Sequence, residues 1–150
     1  MSLREVVFAL EFRGRGEPVP GSTNHRRARS TAPSQTLSTR LTADGVHARV
    51  DAVTGETAVL ESRVERFADG TFVEDGSITY GASGRIVFET LGRGWARPGP
   101  LPGSVLGGVL WTVTGGEGRF AGARGIITSN FSVSADGEVV DNHFARLYLP

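Results

Sequence analysis

The chain has 150 residues, with 16 Lys and Arg against 16 Asp and Glu and no cysteine. That length suits one domain with a sizeable core. The balanced charge gives no electrostatic reason for a nucleic-acid partner, and the missing thiols exclude disulfides, thiolate metal sites and a cysteine nucleophile and point to a reducing compartment.

The opening residues MSLREVVFALEF carry acidic groups and no cleavable apolar core, and no apolar run approaches membrane-spanning length. A single domain over 1–150, cytoplasmic and without a membrane partner, is expected. With 21 Gly and 7 Pro but 39% apolar residues, the chain is rich in turns without falling into the disordered class.

Arg4–Phe12 reads as a strand in which Val6, Phe8, Leu10 and Phe12 share one register and Val7, Ala9 and Glu11 the other. Arg13–Gln35 follows, rich in Gly, Pro, Ser and Arg, with the cluster Asn24, His25, Arg26, Arg27 and Arg29. It has no usable period and is expected to be an irregular loop, disordered or a candidate lid. From Thr36 the period is two: Leu37, Thr39 and Leu41, a turn at Asp44-Gly45, then Val46, Ala48 and Val50, a hairpin. Thr57–Phe67 alternates Leu60, Ser62 and Val64 with Glu61, Arg63 and Glu65, and turns at Asp69-Gly70. Thr71–Tyr80 is the next strand, interrupted by a bulge or turn at Asp75-Gly76, and Arg85–Leu91 follows Gly81–Gly84.

Gly92–Gly103, with its glycines and prolines, reads as a surface loop with Trp95 folded back. Val105–Val113, Ile126–Val133, a turn at Asp136-Gly137 and Val139–Leu149 complete eight to nine strands. Between two of them lies Thr114–Gly125, TGGEGRFAGARG. A phosphate loop would end in Gly-Lys-Ser/Thr and open a helix, so this run reads as a corner of the fold. No stretch carries a helical stripe with caps, and crossover helices for a parallel sheet are therefore missing. An all-β, antiparallel up-and-down β-barrel of about eight strands closes such a chain without exposed edges and leaves room for one small ligand.

Three segments resemble the allene oxide cyclase and dirigent-protein barrels. They are LWTVTGGEGRFAGARGII at Leu110–Ile127, ITYGASGRIVFETLG at Ile78–Gly92, and Arg15-Gly16-Glu17-Pro18, similar to the Arg-Gly-Ser-Pro after the first strand of the plant cyclases. The resemblance implies an allene oxide cyclase-like barrel without a cofactor. It also implies a carboxylate near the end of the first strand that polarises an epoxide, for which Glu11 is the nearest match. Dirigent proteins guide radical coupling as trimers, and similar microbial barrels fold reactive polyketide-like substrates. Assembly into a dimer or trimer is compatible with this resemblance.

Other chemistry finds less support in the residues. His25, His47 and His143 are far apart, and the pair His47 and Asp51 falls in a strand, so no metal site is expected. No Gly-x-Ser-x-Gly elbow occurs. His143 alternates with Asp141 and Ala145, while Asn142, Phe144, Arg146 and Tyr148 take the other face, and periodicity alone does not say which face is the lumen. Glu61, Arg63, Glu65, Arg85 and Glu89 read as a surface ladder, or as acids if one faces an apolar lumen.

The candidate catalytic groups are Glu11, Tyr80 and Tyr148, and the candidate substrate contacts are Phe88, Glu89, Trp111, Asn142, His143 and Phe144. The expected function is a cyclase or isomerase of secondary metabolism. It would bind a hydrophobic reactive molecule, polyketide-like or oxidised fatty-acid-like, through conformational control and one polarising acid. A lipocalin-like carrier is the alternative, and a structural oligomer with a filled lumen the third reading.

Overall fold

Nine strands form in chain order in the computed structural model, which describes residues 2–150, with side chains outside 33–41 and 46–56. They are β1 (Arg4–Pro18), β2 (His25–Thr42), β3 (Gly45–Arg66), β4 (Thr71–Tyr80), β5 (Gly84–Thr90), β6 (Gly94–Pro98), β7 (Val105–Gly118), β8 (Arg124–Val133) and β9 (Glu138–Leu149). All pairings are antiparallel, and consecutive strands lie side by side apart from β6. The pairs β3–β4 and β1–β9 close eight strands into the expected up-and-down barrel. The ninth, β6, is a short flap that bridges β4 and β7 at one end.

The interior is filled unevenly. Near the start of β1 the inward positions are bulky: Phe8 stacks on Tyr80 at 4.8 Å, Phe120 lies 5.0 Å from Tyr80, and Phe88 stacks on Trp111 at 4.1 Å. Tyr80, Trp111, Phe12, Phe88, Ile78, Ile86, Ile127 and Leu147 are fully buried there. Toward the other end the inward register changes character. Phe8, Leu10 and Phe12 give way to Gly14 and Gly16 on β1, Tyr80 and Ile78 to Gly76 and Glu74 on β4, and Leu147 and Ala145 to His143 and Asp141 on β9. One end is therefore a packed aromatic core and the other a smaller, polar one.

Thr114–Gly125 is a corner, as expected: β7 runs into it, Gly118 and Gly122 take φ of 65° and 74° in the turn, and β8 leaves it at Arg124. Phe120 at its middle is buried and plugs the packed end.

Three sequence readings need correction. Arg13–Gln35 is mostly strand. Here β1 continues to Pro18, pairs with β9 as far as Arg15↔Glu138 and with β2 from Arg13↔Thr31 to Pro18↔Arg26, and leaves only residues 19–24 as a connection. Its Gly and Arg content hid the alternation, because an inward Gly14 or Gly16 adds nothing to an apolar period. Within Gly92–Gly103 lies β6, held to β7 from Trp95↔Gly108 to Pro98↔Val105, and Trp95 stays 48% exposed rather than folding back. At Asp75-Gly76, β4 is uninterrupted. Gly94 and Gly107 show why glycine is needed around the flap. A Cβ on Gly94 would overlap the Phe72 ring and one on Gly107 the Phe131 ring, and these two rings meet edge-on at 5.8 Å.

Candidate functional site

Small inward residues at the polar end leave a cavity of about 90 Å³. Its wall includes Ser30, Leu60, Val64, Phe72, Glu74 and Asp141, and Ala96 of the flap closes one side. Wider grooves on the outside, one beneath Pro98–Pro102 and one across β1 to β5, are open to water and lack a buried acid or base.

Glu74 is placed in that wall by the strict alternation of β4, on the same face as Phe72, Ile78 and Tyr80. Thr90 fixes the backbone beneath it, its Oγ1 accepting from the Glu74 N–H at 2.7 Å and donating to the Glu74 carbonyl at 2.8 Å. Burial pushes the Glu74 carboxyl up to about 8; the Ser62 hydroxyl opposes the rise, and the nearby charges of Asp141 and Asp75 add to it. It is therefore a protonated acid at neutral pH.

Asp141 enters from β9 with both oxygens engaged. Ser129 Oγ lies 2.6 Å from Oδ1 and donates to it, and His143 Nε2 lies 2.8 Å from Oδ2. Phe12 and Trp111 pack on the His143 ring, with centroids 4.5 and 4.9 Å away, and hold it in one orientation. His143 Nδ1 is buried and meets no hydrogen-bond partner. With Asp141 committed to two neighbours, Glu74 is the carboxyl left to address a ligand. Among the described residues, no group of three or more His, Cys, Asp or Glu side chains is placed to hold a metal ion.

The structure sorts the candidates from the sequence by face. His143, Trp111, Phe88 and Tyr80 point inward, but the last three belong to the packed end, and burial pushes the Tyr80 hydroxyl further up from its ordinary range. Glu11 points outward and pairs with Arg13 at 2.7 Å. Glu89, Asn142, Phe144 and Tyr148 also lie on the outer face, so these five cannot meet a molecule in the lumen. The parity of β1 decides the case of Glu11: Phe8, Leu10 and Phe12 fill the interior, and the residue between them must face out. The ladder of surface charges is as expected, with Arg29–Glu61, Arg63–Asp75 and Arg85–Glu117 all exposed. The side chain of His47 lies outside the described residues.

Glu74 is the buried acid that sequence reasoning passed over. Its signal was present: a lone acid in register with Phe72, Ile78 and Tyr80, hidden only by reading Asp75-Gly76 as a break.

Eight closed antiparallel strands with a short flap make this a dirigent-like barrel. A pterocarpan synthase dirigent protein is similar to it with a TM-score of 0.59 and 10% sequence identity, over 98% of this chain and 89% of that one. No protein-family model matches the sequence, and no curated protein matches it at a significant level. At that identity the likeness is one of fold. Of the two resemblances read from the sequence, it supports the dirigent-like barrel and does not single out allene oxide cyclase.

Proposed function

We propose that the barrel is a cyclase or isomerase that takes a small hydrophobic reactive molecule into its polar end and uses Glu74 as the polarising acid. The observation that carries this reading is a carboxyl group buried in a cavity wall and held protonated up to about pH 8. Glu74 donates its proton, or a strong hydrogen bond, to an oxygen of the substrate. The apolar wall of Leu60, Val64 and Phe72 holds one reactive conformer and keeps water away. Because the product is an isomer, the proton returns to Glu74 within the cycle and no co-reactant is consumed. About 90 Å³ suits a single ring or other compact part of a molecule better than a long oxidised acyl chain, which favours a polyketide-like substrate.

The test is turnover. Incubated with candidate polyene and epoxide substrates, the protein should change rate and product ratio relative to buffer, and Glu74→Gln should lose most of that effect, about 10²-fold or more. Rates and ratios equal to buffer would remove the enzyme reading. Retained binding with no turnover in the unaltered protein would favour the carrier.

A further inference from the structure

We propose that Arg26 and Arg66 form an anion-binding rim at the mouth of this cavity, and that the ligand is a small apolar molecule bearing a carboxylate. The proposal rests on the cavity described above and adds the group by which its ligand is recognised.

Alternation on two neighbouring strands brings both cations to the mouth of the cavity, where Arg26 is half-buried and Arg66, at the end of β3, is exposed. On β2 the inward series Ser30, Ala28 continues to Arg26, and on β3 the series Leu60, Ser62, Val64 continues to Arg66. Arg26 pairs with Val64, so Arg66 is its diagonal neighbour, within reach of a long side chain. Both residues line the cavity. Arg26 reaches toward β1, its Nη2 donating to the Gly16 carbonyl at 3.0 Å.

On the outer faces of the same strands, Arg29 pairs with Glu61 at 3.8 Å and Arg63 with Asp75 at 2.7 Å. Among the described residues, neither Arg26 nor Arg66 has such a partner. Partial removal from water and the neighbouring Arg26 cation both lower the Arg66 pKa, so the two charges oppose each other. In the wall of the same cavity Glu74 is protonated and Asp141 is occupied by Ser129 and His143. Two like charges at one mouth repel and favour an oxyanion between them, and guanidinium forks match a carboxylate in two parallel hydrogen bonds.

The size of the cavity sets the rest of the ligand. About 90 Å³ beside Leu60, Val64 and Phe72 takes one ring or a short branched chain, and Glu74 stands in the same wall. The molecule is thus a compact acid that also carries a polarisable group for Glu74.

Binding of benzoate, methyl benzoate and inorganic phosphate to the full chain, measured by calorimetry or NMR at neutral pH and low salt, tests this. Benzoate should bind about tenfold or more tightly than its ester, the worth of one charge-assisted hydrogen bond. Arg26→Gln and Arg66→Gln should each abolish that preference without lowering the thermal midpoint, and Arg66→Lys should keep part of it. Equal affinity for acid and ester, an undiminished preference in both Gln variants, or phosphate binding as tightly as benzoate would overturn the proposal. These are binding measurements made without turnover. Their failure leaves the role of Glu74 standing, whereas unaltered turnover in Glu74→Gln removes the acid and leaves the rim.

Discussion

Withdrawing the Glu74 carboxyl from water ties the chemistry of the site to the stability of the protein. Its pKa rises on folding from 4.5 to about 8, so between those values the folded chain keeps a proton that the unfolded chain releases. The contribution is fully present below the lower value and is lost as pH rises through the upper one, at up to about 1.4 kcal/mol per pH unit. The unfolding free energy of the unaltered protein, relative to Glu74→Gln, should therefore fall by a few kcal/mol from pH 5 to pH 8 in urea denaturation; a constant difference would contradict the burial. Tyr80 behaves differently. Its hydroxyl is buried without a partner in the packed end, far from any acid's work. Tyr80→Phe removes an unsatisfied group and should leave the thermal midpoint unchanged or raise stability by about 1 kcal/mol, with turnover unaltered. A drop of several degrees would show that the hydroxyl has a partner.

Among the elements, β6 is the one whose sequence concealed it most fully. GRGWARPGPLPG looks like a loop because glycine and proline dominate it, yet glycine at 94 is what lets a strand lie on the Phe72 ring. Gly107, opposite on β7, seats Phe131 in the same way. Gly107→Ala should therefore cost about 1–3 kcal/mol in thermal denaturation through the displaced ring. Gly16→Ala, whose added Cβ meets only ordinary contacts at 3.8 Å and beyond, should stay within about 0.5 kcal/mol of the unaltered protein. Equal effects at the two positions would refute the steric argument. The strands with Val, Ile, Leu and Phe at every second position were legible for the complementary reason, that their period survives reading residue by residue. That is why β5, β8 and β9 and the corner at Thr114–Gly125 could be placed, whereas the second half of β1 and the start of β2 could not.

At the scale of the whole barrel, the sequence supplied closure and the two faces of each strand but not which face was inside. In β9 the series Asn142, Phe144, Arg146 and Tyr148 looks as suitable for a binding wall as Asp141, His143 and Ala145, and only the pairing of all eight strands turns the second set inward. The same global fact moves Glu11 to the surface and Glu74 into the cavity. It also divides the interior into an aromatic plug that stabilises the fold and a small polar end that holds the cavity beside Glu74 and Asp141. The most direct measurement of this account is an NMR titration of the Glu74 side-chain carboxyl, assigned by its absence in Glu74→Gln. A midpoint near 8 is predicted from its burial. A midpoint in the ordinary carboxylate range, about 4 to 5, would contradict the claim that Glu74 is the acid of the site.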